Sequence, residues 1–204
     1  MTADRDTREI ELKFRARAGD LAAVKRAVNS AAPATPKWTT KRLVSRYFDT
    51  ADRQLARNGA ALRLRTNGDM IVQTLKSATV GSGDMLTRRE WEFTVPSPAL
   101  DLDGLPQEAR RALGAVSEAD LAPGIEVAYQ RQTTTLRRTN PIGPDLVVEV
   151  ALDKGVAVAG GKTERFAECE MELLDGDVDA FFRLAAEVHD ACPLPLSRLS
   201  KAQR

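Results

Sequence analysis

Apolar and polar residues alternate along much of this chain. In "REIELKF", Ile10, Leu12 and Phe14 share one parity, and Glu9, Glu11 and Lys13 share the other. Successive side chains of a β-strand point to opposite faces, so this spacing predicts a strand from about Arg8 to Arg17. The same alternation marks "KRLVSRYFDT", "AALRLRT", "MIVQTLKS", "MLTRREWEFTV", "IEVAYQRQTTTLRRT", "LVVEVALDKG" with "VAVAG" after it, and "FAECEMELLDGD". "NGD" reads as a hairpin turn, "NPIGPD" as a second turn and "TVGSGD" as a flexible link.

Helical spacing interrupts the strands. Leu21, Val24 and Val28 predict a helix over "GDLAAVKRAVNSA", closed by Pro33 and Pro36. "ADRQLARNG" predicts one or two helical turns stopped by Gly59, and two short amphipathic helices fall around Gln107–Leu113 and Glu118–Leu121. A long helix covers "DVDAFFRLAAEVHDAC", with Asp177 as its cap. Eight strands in hairpin-like succession, with helices between some of them, predict an antiparallel sheet or barrel with helices packed outside.

Composition narrows the chemistry. The 204 residues suit one largish domain, and 43% hydrophobic residues supply a sizeable core. The 30 basic and 29 acidic residues leave a net charge of +1, so no global field draws nucleic acid or a membrane. Cys169 and Cys192 make no disulfide framework or zinc pattern, and His189 is the sole histidine. No apolar run spans a membrane, the N-terminus has no signal-peptide core, and a cytoplasmic protein is expected. Nothing in the composition sets an oligomeric state.

The polar faces are unusual because their charges segregate. Glu9 and Glu11 share a face in the first strand, Arg63 and Arg65 in the third, Glu90 and Glu92 in the fifth. Arg131, Thr133, Thr135 and Arg137 share one in the sixth, Glu149 and Asp153 in the seventh, and Glu168, Glu170 and Glu172 in the eighth. Half-solvated antiparallel sheets are common, and for any one strand a wet outer face is the ordinary reading. Like charges side by side are destabilising, however, unless something neutralises them. A closed barrel with its apolar side outward, under the helices, turns all of these faces into one lumen. Lys13, Lys76 and Lys201 join the arginines there. Carboxylates without histidine or thiolate suit Mg²⁺ or Mn²⁺, and arginine with lysine suits phosphate oxygens. Together they suit a metal-bound polyphosphate.

"EIELK" resembles the ExExK signature of the CYTH superfamily, the triphosphate tunnel metalloenzymes. "YFDTADRQLARNGAALRLR", "QTLK", "RREWE", "EVALDKG", "ECEMELLDGD" and "LSKAQR" resemble further family blocks in family order, over nearly the whole chain. The blocks look most like those of bacterial inorganic triphosphatases. The resemblance implies an α+β fold: an eight-stranded antiparallel closed β-barrel, or tunnel, with helices outside, as a single domain over residues 1–204. It leaves room for a C-terminal helical CHAD-type domain after Arg204. The implied metal ligands are Glu9, Glu11, Asp153, Glu170 and Glu172, holding two Mg²⁺ or Mn²⁺ ions. The implied phosphate-binding residues are Lys13, Arg63, Arg65, Lys76, Arg131, Arg137 and Lys201. Glu9, Glu11, Lys76, Glu170 and Glu172 would carry catalysis, and Glu90, Glu92, Glu149 and Glu168 would be further tunnel acids.

The expected activity is metal-dependent hydrolysis of inorganic triphosphate to diphosphate and phosphate. The alternatives are a class IV-type adenylyl cyclase, a thiamine or nucleoside triphosphatase, and a non-catalytic polyphosphate-binding module. A ring-bearing substrate needs an aromatic or apolar platform, and aromatics are 5% of the chain. Trp91 and Phe93 fall outside the barrel by parity, Phe166 precedes the acidic strand, and Tyr47 and Tyr129 are within reach of the lumen.

Overall fold

The computed structural model describes residues 7–78, 87–141, 143–197 and 199–203. Eight strands follow in order: β1 (Thr7–Ala16), β2 (Thr39–Asp49), β3 (Ala60–Asn67), β4 (Met70–Ala78), β5 (Thr87–Val95), β6 (Ala122–Arg138), β7 (Leu146–Ala159) and β8 (Lys162–Asp175). Four α-helices are inserted: α1 (Leu21–Ala31) after β1, α2 (Gln54–Arg57) after β2, α3 (Gln107–Leu113) after β5 and α4 (Val178–Ala191) after β8. Short 3₁₀ turns occupy Glu118–Asp120 and Lys201–Gln203. The link "TVGSGD" lies outside the described residues. Among the described residues no helix is long and apolar enough to cross a membrane.

All strand pairs are antiparallel, in the order β1-β5-β4-β3-β2-β6-β7-β8. The sheet curls so far that β1 pairs with β8 from Ile10 to Ala16 and with β5 from Thr7 to Ile10. The expected α+β architecture of eight antiparallel strands with helices against one face is therefore present. β7 and β8 extend past the bounds that the sequence pattern predicts. β7 runs unbroken through Gly155 into "VAVA", and β8 begins at Lys162, before Phe166. Gly160 and Gly161, at φ +53° and +76°, close the hairpin between Ala159 and Lys162. Only glycine takes two successive left-handed positions without steric cost.

Two apolar layers lie on the outer face. Val24 and Val28 of α1 and Phe181, Leu184 and Val188 of α4 pack on Phe14, Val148, Val150, Leu152, Cys169 and Met171. Asp177 caps α4, accepting from the Ala180 amide at 2.8 Å. Leu55 of α2 and Ala109 and Leu113 of α3 cover Leu62, Leu75 and Trp91. Burying these residues outward leaves the opposite parity of every strand to line the inside of the curl. A third buried cluster sits there, made of Leu43, Tyr47, Val127, Tyr129, Ala157 and Phe166. Phe166 thus lies within β8 on the inner face, not ahead of the strand.

Candidate functional site

The strand register sets the charges of the inner face in rows. Glu11 is opposite Glu172, and Glu172 is opposite Glu149, so three carboxylates stand abreast on β1, β8 and β7. One residue pair along, Lys13 faces Glu170. Beyond it, Arg131 faces Asp153 and Asp153 faces Glu168.

The second group is internally neutralised. Lys201 reaches in from the C-terminal turn and places Nζ 2.8 Å from Asp153 and 3.0 Å from Glu170, with a further bond to Glu168. Arg131 grips Asp153 with two bonds, of 2.8 and 2.7 Å, and donates to Glu170 as well. Lys13 lies 2.8 Å from Glu170. Asp153 and Glu168 are wholly buried and Lys201 is nearly so. Burial opposes the charge on Glu170, yet Lys13, Lys201 and Arg131 hold its carboxyl well below the usual range. Burial likewise works against the Lys201 ammonium, and Glu170, Asp153 and Glu168 override it and raise its pKa. Asp153, Glu168 and Glu170 come close enough for one cation. Here three protein cations already satisfy them.

The Glu11–Glu172–Glu149 row has no such partners. None of the three forms a hydrogen bond or ion pair with a described residue. Burial, then Glu149, Glu90 and Glu11, push the Glu172 carboxyl up to about 7 against the pull of Lys76. Glu90 belongs to the same acidic region but is engaged by Lys76 at 2.7 Å and by Arg63 at 3.5 Å.

A surplus of positive charge lies on β3. Arg63 is buried, bonds Glu90 and lies 3.8 Å from the half-exposed Glu92. Arg65 donates to the Ser45 hydroxyl at 3.4 Å and has no carboxylate partner among the described residues. Burial, then the neighbouring Arg63, lower its pKa. Tyr47 stands beside them. Burial raises its pKa, but Arg63, Lys201 and Arg65 together bring it below the usual value.

Most of the residues expected to line a lumen lie on the inner face of the curled sheet. Lys13, Arg131, Asp153, Glu168, Glu170 and Lys201 form the neutralised network; Glu11, Glu149 and Glu172 form the acidic row. Arg63, Lys76 and Glu90 connect that row to Arg65. Arg137 is set apart: it is 64% exposed and lies 3.7 Å from Asp145 at the rim. Glu92 also sits toward the outside and accepts from the Thr74 hydroxyl at 3.1 Å. The side chain of Glu9 lies outside the described residues. Trp38 is tied to Asn29 at 2.9 Å and covered by Lys25, on the α1 side. His189 stacks on Phe14, as a packing residue does. Sequence reasoning passed over Ser45 and the inward aspect of Phe166; strand parity, continued past Glu168, carries the second signal.

A model of the CYTH domain matches residues 7–204. Solved structures share the fold over most of their length. The Hippeastrum protein HpAC1, an adenylyl cyclase candidate described as having a dominant triphosphatase activity, is 17% identical over 94% of this chain and 91% of its own, with a TM-score of 0.58. The PH1819 protein of Pyrococcus horikoshii is 18% identical over 94% of each chain, with a TM-score of 0.55. An adenylate cyclase candidate from Bacillus halodurans is 18% identical over 94% of this chain and 93% of its own, at 0.54.

Proposed function

The chain belongs to the CYTH domain family, and on that premise we propose that it hydrolyses inorganic triphosphate to diphosphate and phosphate, using a divalent cation, Mg²⁺ or Mn²⁺, inside a closed tunnel. The observation that carries this reading is an imbalance within one lumen. Among the described residues the row Glu11–Glu172–Glu149 forms no ion pair, and Arg65 has no carboxylate partner. A metal-bound polyphosphate corrects both deficits at once.

Glu11, Glu172 and Glu149 stand in register and form no ion pair with a described residue, so they would offer oxygen ligands to a hard cation, with Glu9 two residues from Glu11 as a further ligand. A cation fits less well at Asp153, Glu168 and Glu170, where it would have to displace Lys201 and Arg131. In this arrangement Glu170 holds Lys13, Arg131 and Lys201 in place. When bound, the cation offsets phosphate charge and lowers the pKa of water. Arg63, Arg65 and Lys76 grip the phosphoryl oxygens and stabilise charge on the leaving diphosphate. Arg137, exposed at the rim, guides the anion inward.

The aromatic residues of the inner face support an inorganic substrate. Tyr47, Tyr129 and Phe166 are 8%, 4% and 7% exposed, so none offers an open ring face to a nucleobase or thiazole. Glu11→Gln tests the reading, because it keeps the side chain's size and removes its charge. Activity should fall by roughly two orders of magnitude or more at saturating Mg²⁺; near-normal turnover would remove Glu11 from the metal site.

A further inference from the structure

Part of the inner face is a cluster of buried rings, and two buried polar atoms, one within it and one on β3, are left over. Tyr129 Oη and Arg63 Nε are buried, and neither has a hydrogen-bond partner among the described residues. A buried donor left unpaired costs about 1–3 kcal/mol, and more when it is charged. Packing alone gives no reason for the hydroxyl: phenylalanine would fill the same space without that penalty. Tyr129 lies near both Arg63 and Arg65.

The ring itself is held firmly. It packs on Phe166 at a centroid distance of 6.2 Å, with Lys201 Nζ at 5.2 Å and Arg131 Cζ at 5.8 Å from its centre. Gly155, its neighbour across the β6–β7 ladder, makes room for it: a Cβ at 155 would lie 2.4 Å from Tyr129 Cβ and 2.3 Å from the Ala128 carbonyl oxygen. Leu43, Val127 and Ala157 complete the cluster around the rings. A fixed hydroxyl and a fixed guanidinium N–H, both unpaired and beside an arginine with no carboxylate partner among the described residues, make a preformed donor set for an oxyanion.

Building on the triphosphatase reading, we propose that Tyr129 is a specificity-determining residue. Its hydroxyl and Arg63 Nε–H together receive oxygens of an unsubstituted terminal phosphoryl group. Linear polyphosphates with a free end satisfy both donors. Cyclic phosphates, which have no terminal group, and phosphates capped at that end do not.

The test compares the wild type with Tyr129→Phe in calorimetric titrations with linear inorganic triphosphate and with cyclic trimetaphosphate, both in EDTA so that nothing is turned over. Comparing the variants ligand by ligand cancels the difference in ligand charge. The variant should lose about fivefold or more in affinity for the linear anion and less than about twofold for the ring. Its melting temperature should equal or exceed that of the wild type, because an unpaired hydroxyl has been removed. Unchanged affinity for linear triphosphate, an equal loss for both ligands, or a lower melting temperature would overturn the assignment of Tyr129 and leave the triphosphatase reading standing. A wild type that neither binds nor hydrolyses triphosphate would overturn both.

Discussion

Glu11 on β1 and Glu172 on β8 face each other directly across an antiparallel pair, and neither forms an ion pair or hydrogen bond with a described residue. Like charges in that position are destabilising by a few tenths to about 1 kcal/mol. Glu172→Gln should therefore raise the metal-free stability by about that amount while abolishing most Mg²⁺-dependent turnover. Urea unfolding in EDTA, set beside phosphate release, measures both effects. Loss of stability would show that Glu172 has a protein partner.

The same carboxylate predicts a pH dependence. The Glu172 pKa is raised from 4.5 to about 7 in the folded state. Between those values the folded protein binds more protons than the unfolded chain, so this contribution to stability is complete below about pH 4.5 and lost as pH rises through 7. Glu170 acts in the opposite sense, because its folded pKa is depressed, and its contribution is lost at acid pH. Metal-free protein should thus melt at lower temperature at pH 8 than at pH 6, and saturating Mg²⁺ should shrink the difference by supplying the missing charge. Identical melting at the two pH values in EDTA would contradict a crowded, unpaired row.

Lys201 gives a prediction of the other kind. It is 5% exposed and bonded to Asp153, Glu168 and Glu170. Removing one partner from a buried ion network typically costs about 3–5 kcal/mol, because the charges left behind stay buried. Lys201→Met keeps the stem and removes the ammonium, and should lower the urea midpoint accordingly. A loss below about 1 kcal/mol would mean that solvent already screens this cluster.

Gly155→Ala should be costly despite adding a single methyl group. The Cβ would meet backbone and Tyr129 at 2.3–2.7 Å, and overpacking of this kind costs about 1–3 kcal/mol. A folded, equally stable variant with unchanged activity would show that β6 and β7 separate easily at this point.

How the sequence relates to the structure differs between levels. Alternation placed the strands because one face of each is buried under α1, α4, α2 or α3, and period two survives any register. It also separated Cys169 and Met171 from Glu170 and Glu172. It did not show that β7 continues through Gly155, since a glycine has no side chain to continue a parity and reads as a stop. Nor did it show which carboxylates are neutralised. That depends on Lys201 returning from the far end of the chain to Asp153 and Glu168, a tertiary contact no local pattern encodes. Asp153, Glu170 and Glu172 look alike as acidic residues on inner faces; only the register and the tail distinguish the anchors from the unpaired row.

Arg65 tests the anion half of the site. Among the described residues it has a hydroxyl partner and no carboxylate, which leaves its positive charge to a ligand. Arg65→Ala should weaken triphosphate binding by about tenfold or more, the scale of one charge-assisted, often bidentate contact, with little change in stability. Calorimetry with Ca²⁺ in place of Mg²⁺ reads this without turnover. Unchanged affinity would place the phosphates elsewhere.

The most direct test of the central claim is kcat/KM for phosphate release from inorganic triphosphate, ATP and thiamine triphosphate, each with Mg²⁺, with Mn²⁺ and with EDTA. Inorganic triphosphate should be preferred by at least about tenfold, roughly 1.4 kcal/mol of differential transition-state binding, and EDTA should abolish release. Equal or better kcat/KM for ATP, with cyclic AMP or ADP as product, or release that persists in EDTA, would contradict the account.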